Sequence, residues 1–172
     1  KKPTRLKGDQ KLNAQGIIDA LMDDTDPIPK TVILRTAKAL SNILEDGYIE
    51  ETMLRRFPGV LGANLNIMRE SIWEDTKTVT LLIEQEEDER MKWRSILQIM
   101  LSYCLYGEIK YGETALTDER IQAVFHSLDE LDAGLTCTDP RIRWQMVNQI
   151  IVRNWHYIKP YLEFCEERSK AA

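Results

Sequence analysis

The sequence predicts an all-α protein, and three observations carry that expectation. Apolar residues recur at helical spacing in segment after segment. Six prolines and eight glycines are few for 172 residues, which disfavours a many-turned β fold. One stretch, residues 76–83, has strand character, and a lone strand has no partner. The expected architecture is a compact single-domain bundle of about seven helices around a central hydrophobic helix at about residues 84–107. A chain of this length can bury roughly 70% of the surface its unfolded form exposes, so it needs no disulfide or metal staple.

Residues 1–8 read as a flexible basic arm, with Lys1, Lys2, Arg5 and Lys7 preceding any apolar periodicity, and residues 9–172 as one helical domain. The start at Lys1 suggests a piece of a longer protein, and no signal peptide is expected because no apolar run follows the basic residues. Leu12, Ile17, Ile18, Leu21 and Met22 mark a first helix over 9–23. Asp26, as a cap ahead of Pro27 and Pro29, starts a second. Its stripe is Ile33, Ala37, Leu40 and Leu44, and Gly47 is expected to end it. Residues 48–57 then form a short separate helix stopped by Pro58-Gly59, with Arg55 and Arg56 suiting its negative end. Residues 60–63 read as a loop, and 64–73 as a helix through Leu65, Met68, Ile72 and Trp73. The β-branched residues 76–83 are assigned helix for want of a partner strand, leading into the central helix directly or through a kink near Glu84.

The central helix opens on Glu84, Glu86, Glu87, Asp88 and Glu89, acids that match the positive end of a helix dipole. Glu86 with Arg90 and Asp88 with Lys92 have the favourable acid-first spacing. Trp93, Ile96, Leu97, Met100, Leu101 and Cys104 then form a broad apolar arc, widened by Ile99, Tyr103 and Tyr106. A helix apolar nearly all round belongs in the middle of a bundle. Its apolar run is about half the roughly 20 residues of a bilayer span, so no membrane insertion is expected. Thr117 caps the next helix, whose apolar set is Ile121, Val124, Phe125, Leu128 and Leu131, and Ala133-Gly134 ends it. Asp139-Pro140 starts a last helix running to about Glu167, with a kink expected at Pro160.

The net charge of −5 argues against a protein whose whole surface binds nucleic acid, while leaving room for a local basic surface. Cys104, Cys137 and Cys165 are odd in number and widely spaced, which suggests reduced thiols and an intracellular setting, cytoplasm or nucleus. Residues 84–89 lack the spacing of a calcium loop, and consecutive helical carboxylates fan out rather than converge. His126 and His156 fall in no metal or catalytic spacing, and no nucleotide-binding glycine motif or nucleophile elbow occurs. No cofactor or metal is expected, and no catalytic residue is assigned.

The last helix carries the candidate surfaces. Trp144, Val147, Ile151, Trp155, Ile158, Leu162 and Cys165 share one apolar arc. Arg141, Gln145, Gln149, Arg153, His156 and Lys159 share a cationic, amide-rich arc across from it. Between them Tyr157, Tyr161 and Phe164 widen the apolar side, as in a helix buried on two sides or one that meets another chain. The leading expectation is a non-enzymatic protein–protein interaction or assembly domain of a larger regulatory or viral protein. It would bind another protein or itself through Trp144, Tyr157, Tyr161 and Phe164. The first alternative is an RNA-binding domain, or one for an acidic partner, using Lys1, Lys2, Arg5, Lys7, Arg55, Arg56, Arg141, Arg153, His156 and Lys159. The second is an enzyme without a legible motif.

Overall fold

A computed structural model describes residues 8–172, with side chains described from Ala14 onward. The basic arm, with Lys1, Lys2, Arg5 and Lys7, lies outside the described residues. Among those residues the protein is all-α, with no strand: α1 (Gly8–Asp23), α2 (Pro27–Arg56), α3 (Val60–Asp75), α4 (Val79–Glu84), a 3-10 turn (Glu89–Met91), α5 (Lys92–Tyr106), α6 (Glu119–His126), α7 (Leu128–Thr136), α8 (Pro140–Arg153) and α9 (Trp155–Ala171). Nine α-helices among the described residues replace the expected seven because residues 76–107 and the two long helices after them each divide in two and one expected break is absent. No helix among the described residues is long and apolar enough to cross a membrane.

Two helices organise the core rather than one. The 30-residue α2 packs against α5, α7, α8 and α9, while α5 packs against α2, α4, α6 and α9. Asp26 caps α2 as its spacing predicts, its carboxylate accepting from the Ile28 amide at 3.0 Å. Gly47 does not end this helix, contrary to expectation, so residues 48–57 are its continuation. A Cβ at Gly47 would lie 3.0 Å from the Cys104 carbonyl oxygen and would meet the Leu135 side chain. Glycine is needed there so that α5 and α7 can approach the backbone of α2. The helix propensity it forfeits is about 1 kcal/mol relative to alanine.

α5 begins at Lys92, and residues 85–91 form a connection rather than the first turns of a helix. The reason is Glu86, whose carboxylate turns inward to accept from Ser95 Oγ at 2.7 Å and Arg120 Nε at 2.7 Å. Asp88 caps the 3-10 turn and pairs with Arg90, and Lys92 pairs with Glu119. Neither expected pair, Glu86 with Arg90 or Asp88 with Lys92, forms. Trp93, Ile96, Ile99, Met100 and Cys104 are buried, whereas Leu97 and Leu101 are half-buried, packed against the edge of the core on the side that lines a groove. α5 is therefore a core helix on one face and the floor of a groove on the other.

Residues 76–83 are helical from Val79, capped by the Thr78 hydroxyl. Asp118, rather than Thr117, caps α6. That helix breaks at Ser127, and α7 runs past Gly134 to Thr136. Asp139 caps the next helix as expected, its carboxylate accepting from the Arg141 amide at 2.9 Å. The long last helix then breaks at Asn154 into α8 and α9, and Pro160 lies inside α9. Buried Asn154 donates to Ser127 Oγ at 3.0 Å and to the Ile150 carbonyl at 2.8 Å, so the two helix breaks are pinned to each other in the interior. Arg153 is buried beside this pin and pairs with Glu130 of α7.

Candidate interaction surface

α3 lies on the surface, held along one narrow side and exposed over most of its circumference, polar and apolar residues alike. Arg69 and Trp73 on that side hold it to the body of the protein: Arg69 donates to the Leu105 carbonyl and lies 3.6 Å from Glu50 of α2. Trp73 meets Tyr106 edge-on at 5.1 Å, and Lys110 Nζ donates to the Trp73 and Glu74 carbonyls at 2.9 and 3.1 Å. Most of its large apolar side chains face water. Val60 is 81% exposed, Ile67 64%, Met68 58% and Ile72 53%, with Leu61 and the preceding Phe57 also exposed. The stripe through Leu65, Met68 and Ile72 that marks the segment as helical is thus mainly a surface feature, and the helix starts at Val60 rather than after a loop.

Ile72 leads from this face into a groove of about 470 Å³ between α3, α4 and α5. Leu97, Leu101 and Leu105 line its α5 wall, Leu82 and Met91 its other apolar side, and Arg94, Gln98, Asp75 and Lys77 its polar margin. The groove is of mixed character, and it adjoins the exposed apolar side chains of α3 through Ile72.

A second cavity of about 480 Å³ lies between α2, the end of α5 and α7. Some of its polar groups are partnered within the protein, whereas buried Glu50 Oε2 has no hydrogen-bond partner among the described residues and only Arg69 at 3.6 Å. Tyr103 donates to Asp132 at 2.6 Å, and burial together with that carboxylate raises the phenol pKa. Burial pushes the Cys104 thiol up to about 12, so it is protonated and not a thiolate. Burial raises the Glu50 pKa, against the opposing pull of Arg69. No group of three or more metal-ligating side chains gathers among the described residues.

The residues singled out on the last helix separate. Trp144 is half in solvent beside exposed Ile142, so it leaves the core-facing arc to which the sequence assigns it. Val147, Ile151, Trp155, Ile158 and Leu162 are buried as expected. Tyr157 and Tyr161 are half-buried against the core, and the Phe164 ring lies beneath Arg90 and Arg168 at 5.2 and 5.7 Å. Of the cationic residues, Arg141 and Lys159 are exposed, but Arg153 is buried and ion-paired and leaves the surface. His156 packs on Tyr157 at 4.2 Å, and desolvation lowers its pKa. The break at Asn154 also ends the single helical wheel on which that cationic arc rests. Arg55 and Arg56 are exposed at the end of α2, Arg55 within 3.5 Å of Glu51.

The surface of α3 is what a reading of the sequence passes over. Its signal is present, since Leu61, Leu65, Met68 and Ile72 recur at spacings of four, three and four. That pattern is the same whether the partner helix belongs to the chain or to another molecule. No protein family, curated protein or solved structure matches this chain.

Proposed function

We propose that this is a non-enzymatic interaction or assembly domain that docks a partner on the outer face of α3 and the adjoining groove on α5. The observation that supports the reading is the set of large apolar side chains that α3 leaves in water. A helix fastened through Arg69, Trp73 and Tyr106, with Val60, Ile67, Met68 and Ile72 in water, gives up the burial that normally stabilises such a helix. A covering partner recovers that burial. The surface differs from the one expected on the last helix, where Tyr157, Tyr161 and Phe164 are engaged within the protein and Trp144 alone stands out.

Met68→Asp tests the reading, because the side chain is exposed and the change leaves folding intact. Affinity capture with the wild-type chain should recover a partner, or the chain itself, that the variant loses while the thermal melts of the two coincide. A monomeric chain whose captured proteins are the same for both would count decisively against it.

A further inference from the structure

The geometry points to a second copy of this chain as the partner, docked through α3 in an antiparallel two-fold pair; this rests on α3 being the docking surface. α3 spans 16 residues, about 24 Å of helix. Its seam of exposed Leu61, Met68 and Ile72 with half-buried Leu65 has the spacing with which one helix packs along another, and exposed Val60 and Ile67 lie roughly a third of a turn round the helix from it. The apolar area this leaves in water is on the order of several hundred Å², a large share of the roughly 800 Å² each partner contributes to a standard interface.

Charge decides the identity and the direction of the partner. Arg55 and Arg56 stand immediately before the N-terminal end of α3, whereas Glu70, Glu74 and Asp75 occupy its C-terminal half. The cations at that second end are engaged within the protein: half-buried Arg69 reaches the Leu105 carbonyl, and exposed Lys77 Nζ donates to Gln85 at 2.8 Å. Neither Arg56 nor Asp75 has an ion-pair partner among the described residues. A face that is cationic at one end and anionic at the other complements itself when a copy is turned end for end. A two-fold axis across the helix imposes that arrangement, setting residue i on j and j on i. The helix dipoles are then antiparallel as well. Parallel pairing would set Arg56 against Arg56 and Asp75 against Asp75.

Analytical ultracentrifugation of the 172-residue chain over a concentration series tests this, with circular dichroism melts confirming that each variant folds. The wild type should dimerise with a dissociation constant of roughly micromolar or tighter. Met68→Asp should abolish the dimer. Arg56→Glu alone and Asp75→Lys alone should each weaken it by about tenfold or more, because like charges then meet at both ends. Arg56→Glu combined with Asp75→Lys in one chain should restore it. A dimer indifferent to Met68→Asp, or a double reversal weaker than either single change, would overturn the antiparallel pair. A strict monomer would overturn the second copy as partner. If such a monomer still captures a protein in a manner sensitive to Met68→Asp, the interaction reading survives alone; if it captures none, both fall.

Discussion

Removing Arg120 should be among the most damaging single changes in this protein. Its side chain is 10% exposed and that of Glu86 is 9%, and the two meet through a pair of hydrogen bonds linking α6 to the connection before α5. Arg120 also lies 3.2 Å from Asp118. Arg120→Met leaves the Glu86 carboxylate buried with one remaining donor, the Ser95 hydroxyl at 2.7 Å. An uncompensated buried charge of this kind costs about 3–5 kcal/mol. For a chain of this size that corresponds to a melting temperature lower by roughly 6–20 °C. Glu86→Gln should cost less, about 1–3 kcal/mol, because Asp118 still neutralises Arg120. Replacing both, as Glu86→Leu with Arg120→Met, removes the stranded charge and should recover most of the loss. Thermal and urea unfolding of the wild type, the two single variants and the double variant complete the cycle. An Arg120→Met protein that melts within about 2 °C of wild type, or a double variant whose losses simply add, would refute the assignment of this pair as a buried, coupled tether.

Three further outcomes are expected. Gly47→Ala should destabilise the protein by about 1–3 kcal/mol despite the better helix propensity of alanine, because the new methyl meets the Cys104 carbonyl and Leu135; a stabilised variant in urea melts would show that α5 can move aside. Met100→Ala, at a fully buried position, should cost about 2–5 kcal/mol, and Leu97→Ala on the groove side clearly less, so equal losses would contradict the two-faced description of α5. Glu50 has a folded-state pKa above its ordinary value, so its contribution to stability is complete below that ordinary value and is lost as pH rises through the folded pKa. Glu50→Gln should therefore gain stability relative to wild type between about pH 4 and pH 7, and unfolding curves showing the same difference at both would exclude the effect.

Local signals were legible where the chemistry is local. Asp26 and Asp139 cap the helices they were expected to cap, each next to a first-turn proline, because a cap needs only its own few residues. The expected helix over 76–83 forms from Val79 onward, and no strand does, as the lack of any alternating segment implied. The acids of 84–89 illustrate the opposite case. Their spacing to Arg90 and Lys92 matches a helix start, yet Arg120, 34 positions beyond Glu86, draws that carboxylate inward and turns the segment into a connection. The cationic arc expected on the last helix fails for a related reason. Whether Arg153 is a surface charge depends on Glu130 lying opposite it, and nothing near Arg153 in the chain records that.

The sequence by itself determined that this chain is helical, where several of its helices begin, and that Trp93, Ile96 and Met100 sit at its centre, because propensity, capping and apolar spacing act within a turn or two. Tertiary structure decided which glycine interrupts a helix and which permits a crossing, where the long helices break, and which apolar stripes are core. Gly47 lies within α2 because α5 passes over it, and α8 ends at Asn154 because Ser127 is there to receive it. The stripe on α3 is indistinguishable in composition from those that form the core. It faces solvent because the Leu105 carbonyl, Tyr106 and Glu50 hold the other side of the helix through Arg69 and Trp73, leaving Val60, Ile67 and Met68 for a partner to cover.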